Sequence, residues 1–297
     1  MRAQDQHPTL LSGDRDSWSR LNPGLRISDR PFARQSAVYV KDQAVLDRED
    51  RHLLTEGFVR LEHVIPSKET RRLQAGVEAL QRVGLPPIFC FVYDDYWVTL
   101  KRLTGILERF AGPGFLVLPD FWAWYVDHRS PGSGWSAHRD LRVPVTGKDS
   151  RPEILTVWIA LTDATPDNAC LYVLPLDLDP LYPHLLQKEF QPKLESTRAL
   201  PVRAGGMLLW HANLFHWSGR NGGYAAHPRI SFAFSLQRQG REALYHPPIA
   251  LEGRLTIDDR LVLIAAQFER YRHRFPSSPL LETFLKAFGE RSRQSGR

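Results

Sequence analysis

Cysteine is scarce. Cys90 and Cys170 are the only two in 297 residues, and neither a CxxC pair nor a Cys/His cluster of zinc spacing occurs. A disulfide-held fold and a structural zinc module are excluded, and a reducing, cytoplasmic setting is expected. Long apolar runs are missing too. No stretch approaches the ~18 consecutive apolar residues of a membrane span, and Met1 to Leu10 has no apolar core of an export signal, so the expectation is a protein without a membrane anchor. Lysine is also rare: Lys+Arg number 39 against 33 Asp+Glu, for a net charge of +6, yet only seven are lysines. The positive charges are scattered, and the one cluster, Arg291 to Arg297, has the composition of a solvated terminus. Without a continuous basic stripe, no nucleic-acid partner is expected.

What is present suits a large folded core: 42% of residues are hydrophobic and 24% charged. Residues 1–40 are polar and read as a partly ordered leader. Residues 41–297 read as a single domain, with a helical lead-in at 41–113, a β core at 114–237 and a helical C-terminal extension at 238–297. In the lead-in, a helix is expected over Gln43 to Glu56, a strand over Gly57 to Leu61, and a second helix after Pro66. That helix has Ser67 as its N-cap and Leu73, Val77 and Leu80 on one face. Past residue 114 the pattern changes to short alternating runs: Phe115–Leu118, Trp122–Asp127, Ile154–Leu161, Leu171–Leu174, Met207–Trp210, Trp217–Ser218 and Ile230–Leu236. Helical periodicity returns over Ile257–Phe275 and Pro279–Arg291, where Leu261, Ile264, Ala265 and Phe268 form a stripe expected to pack in the core. The fold class expected is mainly β, with flanking N- and C-terminal helices.

The chemistry-bearing residues begin at His138-Arg139-Asp140. In extended backbone, residues i and i+2 share a face, so His138 and Asp140 present an imidazole and a carboxylate together while Arg139 points away. Two histidines and one carboxylate can hold non-haem Fe(II) on one face of an octahedron, leaving positions open. The third ligand must come from elsewhere, and the candidates are His216 and His211. The run Gly205 to Asn221 reads as strand, turn, strand, with His216 opening the second strand and His211 at the turn. Downstream, Arg229, Ser231, Ala233 and Ser235 share one strand face and Ile230, Phe232, Phe234 and Leu236 the other. An arginine among apolar strand residues is costly to bury without an anionic partner, and its fork fits a carboxylate. That partner is either a ligand or one of the chain's own acids.

Together, His138-Arg139-Asp140, a distal His216-Trp217-Ser218-Gly219-Arg220-Asn221 and an Arg229-Ile230-Ser231 thirteen residues after His216 resemble the iron(II)/2-oxoglutarate-dependent dioxygenases, specifically the phytanoyl-CoA dioxygenase-like family. Gly57-Phe58-Val59 with Val64 to Ser67, Ser130-Pro131-Gly132, and Thr156 to Thr165 with Asn168 and Pro175 extend the resemblance over most of the chain. Two departures stand out: the family's Asn-Gly turn is Asn168-Ala169 here, and its Pro-Gly-Ser-His is Pro175-Leu176-Asp177-Leu178. Both lie off the metal motifs.

The resemblance implies a double-stranded β-helix, a cupin-like jelly roll. It implies His138, Asp140 and His216 as ligands of Fe(II), and Arg229, with Ser231, as the site for the distal carboxylate of 2-oxoglutarate. Thr156 and Trp158, with Asn168 nearby, are expected to line the cosubstrate pocket. The reaction implied consumes O₂ and 2-oxoglutarate, releases succinate and CO₂, and hydroxylates an unactivated C–H of a small molecule. The presence of Asp140 speaks against halogenation. The alternative is a non-redox or non-catalytic metal-binding jelly-roll protein. Loops are expected to set the substrate, at Pro86–Lys101, Val143–Glu153 and Leu176–Leu200, and the basic balance favours an anionic or carrier-bound substrate. Tyr93 to Trp97 is an aromatic-acidic cluster that suits either a lid or a packed edge.

Overall fold

The computed structural model describes residues 13–32, 39, 41–127, 129, 132–274 and 278–295. Met1 to Leu10, Ser130, Pro131, Phe275 and Arg297, named above, lie outside the described residues. The N-terminal part runs α1 (Arg15–Leu21), α2 (Gln43–Glu56), β1 (Phe58–Leu61), α3 (Ser67–Arg82), α4 (Asp94–Arg102) and α5 (Thr104–Ala111). The strands that follow are β2 (Leu116–Val126), β3 (Gly132–Ser133), β4 (Ile154–Ala160), β5 (Leu171–Leu174), β6 (Arg198–Leu200), β7 (Met207–His211), β8 (Phe215–Ser218), β9 (Arg220–Asn221) and β10 (Arg229–Gln237), before α6 (Ile257–Arg270) and α7 (Pro279–Ser295).

Local chemistry sets the helix ends. The Asp42 carboxylate accepts the free N–H groups of Ala44 and Val45 at the start of α2, and Gly57 ends it in the left-handed region at φ +87°. A reciprocal Thr256–Asp259 capping box opens α6. Ser67 does not cap α3. It is already the first helical residue, whereas a capping residue must keep extended backbone, and the position before it is Pro66.

Five strands form an antiparallel sheet in the order β1-β7-β4-β10-β2, and three form a second in the order β6-β5-β8. Every residue of β4 and β10 is buried, because both faces of the large sheet are covered. On one face Val157, Ile159, Phe232, Phe234 and Leu209 pack with Val77, Phe91, Trp97 and Leu261 from the helical layer. On the other, Trp158, Ala160, Leu208, Trp210 and Ala233 pack with Leu171, Val173 and Leu200 around the small sheet. Register fixes which side chains share that second face: Ser231 stands opposite Trp124 and Ala160, and Ala233 opposite Trp122 and Trp158.

The two runs expected as separate strands, 115–118 and 122–127, are one strand. Its register with β10 shifts between Phe234, opposite Phe121, and Leu236, opposite Val117, a bulge that contains Pro119 and Asp120.

The mainly β expectation is corrected, since more of the described residues are helical than extended. The helices missed are those stabilised by burial rather than by a clear apolar stripe. Tyr93, Tyr96 and Trp97 are fully buried, and Arg260 makes a 2.7 Å ion pair with Asp94 from across the helical layer. That segment is therefore core, not a lid. Part of the polar leader is also core: Trp18, Leu25 and Phe32 are buried. Among the described residues, no helix is long and apolar enough to cross a membrane.

Candidate active site

His138 and His216 are paired by backbone before they are paired by chemistry. Each donates its N–H to the other's carbonyl at 2.9 Å, an antiparallel bridge that brings the rings together with centroids 4.3 Å apart and planes tilted by 50°. Both rings are then oriented from the outside: Nδ1 of His138 lies 2.6 Å from the carbonyl oxygen of Ser136, and Nδ1 of His216 lies 3.0 Å from that of Leu214. A carbonyl only accepts, so each Nδ1 carries a proton, and in the neutral ring that tautomer leaves the Nε2 lone pair free for a cation. Those two Nε2 atoms converge on Asp140 Oδ1, at 3.5 and 3.6 Å, and the three ligand atoms lie within 4.8 Å of one another. His138 Nε2 is buried without a hydrogen-bond partner.

The other carboxylate oxygen of Asp140 is occupied. Thr156 Oγ1 donates to Oδ2 at 2.7 Å and Trp210 Nε1 donates to it at 2.9 Å. Thr156 and Trp210 are cross-strand neighbours on β4 and β7, so the sheet register delivers both donors to one atom. Burial opposes ionisation of Asp140, but the facing histidines and the Thr156 hydroxyl hold its carboxyl well below the usual range. Burial pulls His216 down to about 4, leaving it neutral at neutral pH. A carboxylate and two imidazoles are the donor set a divalent cation takes.

Arg229 enters from β10 and is 1% exposed. Its Nη2 donates to Ser218 Oγ at 3.1 Å and its guanidinium lies 5.7 Å from the Trp158 ring centroid. No carboxylate among the described residues pairs with it, and its Nε makes no hydrogen bond. Burial pulls its pKa down to about 10. Space for the guanidinium comes from Gly134, where a Cβ would meet Arg229 Nη2 at 2.6 Å.

One cavity of about 340 Å³ joins these groups and is lined by His138, Asp140, His216, Thr156, Trp158 and Arg229. Two expected residues stand elsewhere. Ser231 is wholly buried on the same sheet face, its hydroxyl without a partner, but it does not line the cavity. Asn168 holds its own turn, its Oδ1 accepting from Thr165 N at 2.7 Å and its Nδ2 donating to the Asp163 carbonyl at 2.7 Å. His211 is outside the triad: its Nδ1 accepts the Asn213 N–H and its Nε2 lies 3.0 Å from Thr146 Oγ1. Arg139 does point away, to a 2.5 Å ion pair with Asp179.

None of the three loops expected to set the substrate lines this cavity. The segment 86–101 is held in the helical layer, and the walls come instead from Trp122 and Trp124 on β2, from Trp135 to Arg142, and from the C-terminal extension. Trp210 and Asp120 were missed. Trp210 carried an alternation signal for strand but none for its donor role, and Asp120 lay in an apparent break between strands.

Residues 101–229 match the family model described as phytanoyl-CoA dioxygenase. No curated protein matches the chain. Among solved structures, the non-heme monooxygenase ThoJ in its apo form is 17% identical over 81% of this chain and 99% of its own, with a TM-score of 0.55. AviO1 from Streptomyces viridochromogenes Tue57 is 17% identical over 69% of this chain and 98% of its own, with a TM-score of 0.51. At such identities the likeness is one of fold. The stretch matched by the family model is the one that supplies His138, Asp140, His216 and Arg229.

Proposed function

We propose that the protein is an Fe(II)- and 2-oxoglutarate-dependent oxygenase that hydroxylates an unactivated C–H of a small molecule. The two facing sheets are read as a double-stranded β-helix with helical flanks. The observation that carries the proposal is the shared cavity: three convergent ligand atoms and, on the adjoining wall, a buried guanidinium with no acidic partner among the described residues. An uncompensated buried charge costs several kcal/mol, roughly, unless a ligand neutralises it, and a dicarboxylic acid brings that neutralisation to Arg229.

His138, Asp140 and His216 would hold the iron, and Arg229 with Ser218 would hold the distal carboxylate of 2-oxoglutarate. Bound there, iron and 2-oxoglutarate would supply the oxidation: O₂ and 2-oxoglutarate give succinate, CO₂ and one oxygen atom inserted into the substrate C–H. The residues' own part is placement. Thr156 and Trp210 fix the carboxylate rotamer, the Ser136 and Leu214 carbonyls fix the imidazole tautomers, and Trp158 forms a wall beside Arg229.

The test is succinate formation from 2-oxoglutarate with ferrous iron and air, followed by a screen of metabolite libraries for compounds that gain one oxygen atom. Asp140→Ala should abolish succinate release. Tight metal and ligand binding with no turnover under any substrate would favour the alternative, a non-catalytic binding protein.

A further inference from the structure

The cavity has a second polar end that the triad and Arg229 do not use. Leu244, Tyr245, Arg270, Tyr271 and Arg274, all from the C-terminal extension, wall it off. Trp135 bridges that end to the metal ligands: its ring centroid is 5.8 Å from His138 and 4.9 Å from Tyr271, and the Arg274 guanidinium lies 4.5 Å over it. Arg274 is thus one aromatic ring away from a candidate iron ligand.

The two arginines here are not equivalent. Arg270 has an acid within reach, Asp120 Oδ1 at 3.4 Å, and that carboxylate is itself held by the Tyr271 hydroxyl at 2.6 Å and the Ser235 hydroxyl at 2.9 Å. Arg274 pairs with no carboxylate among the described residues, and its Nε is buried without a hydrogen-bond partner. One positive charge is therefore left over at this end, facing an apolar chamber walled by Trp122, Trp124 and Trp135. A single uncompensated guanidinium suits a monoanion: a carboxylate takes its fork in a bidentate pair with the charge balanced, whereas a dianionic phosphate would leave one negative charge unmatched. The indole walls suit a flat, unsaturated body, which can lie against aromatic faces.

We propose that the substrate is a planar aromatic carboxylate, its ring system against Trp135 and its carboxylate read by Arg274. This rests on the reading of the cavity as the site of oxidation, and it adds a specificity determinant in the C-terminal extension. The cosubstrate's acid goes to Arg229 and the substrate's acid to Arg274, so one cavity sorts two carboxylates by two separate cations.

The experiment is calorimetric titration of the full-length protein, loaded with Fe(II) and 2-oxoglutarate under argon, with 2-naphthoate, its neutral isostere 2-naphthamide, and 2-naphthyl phosphate. Wild type should prefer naphthoate to both. Arg274→Gln should weaken naphthoate about tenfold or more, leave naphthamide within about twofold, and leave 2-oxoglutarate binding unchanged; Arg274→Lys should recover part of the loss. Equal binding of naphthoate and naphthamide, no measurable naphthoate binding, preference for the phosphate, or parallel loss of acid and amide in Arg274→Gln would each overturn the proposal. If 2-oxoglutarate itself fails to bind the metal-loaded wild type, it is the oxygenase reading that fails. If 2-oxoglutarate binds and the naphthoate preference is absent, only the substrate assignment does.

Discussion

Trp210 donates its indole N–H to Asp140 Oδ2 across 2.9 Å, and in doing so it aims Oδ1 at the two histidines. A carboxylate free to rotate would offer either oxygen and would lose entropy on binding a cation. With Oδ2 already engaged by Trp210 and Thr156, that loss is met on folding. Trp210→Phe keeps the apolar ring in the core and deletes only the donor. Metal affinity is expected to fall about 10- to 100-fold, with near-unchanged thermal stability of the metal-free protein. Titration with Co(II), followed by its visible absorption, measures this; an affinity within twofold of wild type would show that Thr156 alone suffices.

Arg229 makes a prediction of the opposite sign for stability. A buried guanidinium whose only described hydrogen-bond partner is the Ser218 hydroxyl is a cost to the ligand-free fold. Replacing it by a side chain of similar volume without charge removes that cost. Arg229→Met is therefore expected to raise the stability of the ligand-free protein by about 1 kcal/mol or more, while abolishing the thermal shift that the proposed function expects of the metal-loaded wild type with 2-oxoglutarate. Differential scanning calorimetry with and without 2-oxoglutarate decides it. A destabilised variant that still responds to 2-oxoglutarate would remove Arg229 from the cosubstrate site.

The alternation of Arg229 to Gln237 was enough to assign both faces of β10 from sequence, because a strand's side chains alternate whatever lies beside it. The HxD spacing likewise placed His138 with Asp140. What alternation cannot carry is register. Thr156 was legible as cavity-facing, but its hydroxyl serves Asp140 only because β4 pairs with β7 so that Thr156 meets Trp210. Asp120 points into the cavity through a bulge, which looks in sequence like the gap between two strands. The Leu261, Ile264, Ala265 and Phe268 stripe is buried as its periodicity required, yet the same helix ends in Arg270 and Tyr271, whose role depends on where the helix docks.

Arg139 and Asp179 tie the His138–Asp140 segment to the chain after β5. Their side chains are 3% and 0% exposed, the ion pair is 2.5 Å, and Arg139 Nη1 also donates to the Asn213 carbonyl at 2.7 Å. Removing one partner leaves a buried charge, so Arg139→Leu and Asp179→Leu are each expected to cost about 3–5 kcal/mol. The double variant should cost clearly less than the two added together. Urea unfolding of all four proteins gives the coupling energy, and strictly additive losses would mean that the pair is not a coupled unit.

His211 gives the fold an acid-sensitive element separate from the proposed metal ligands. Its Nδ1 accepts the Asn213 N–H and its Nε2–H faces the Thr146 hydroxyl, so both ring nitrogens are satisfied in the neutral form. Burial pulls its pKa down to about 4 in the folded protein, against about 6.5 when unfolded. Between those values the unfolded chain binds a proton that the folded one does not, so stability rises with pH across this window and is lost as pH falls from 6.5 toward 4. The full swing for this one group is about 3 kcal/mol, complete only at the acid end. His216, also pulled down by burial, adds a loss of the same sign in the metal-free protein. His211→Gln keeps an amide acceptor and donor but cannot titrate. Its unfolding free energy should therefore fall less steeply than wild type between pH 6.5 and pH 4.5, with a difference in slope approaching about 1.4 kcal/mol per pH unit. Parallel curves for variant and wild type would mean that His211 takes up its proton in the folded state as easily as in the unfolded one.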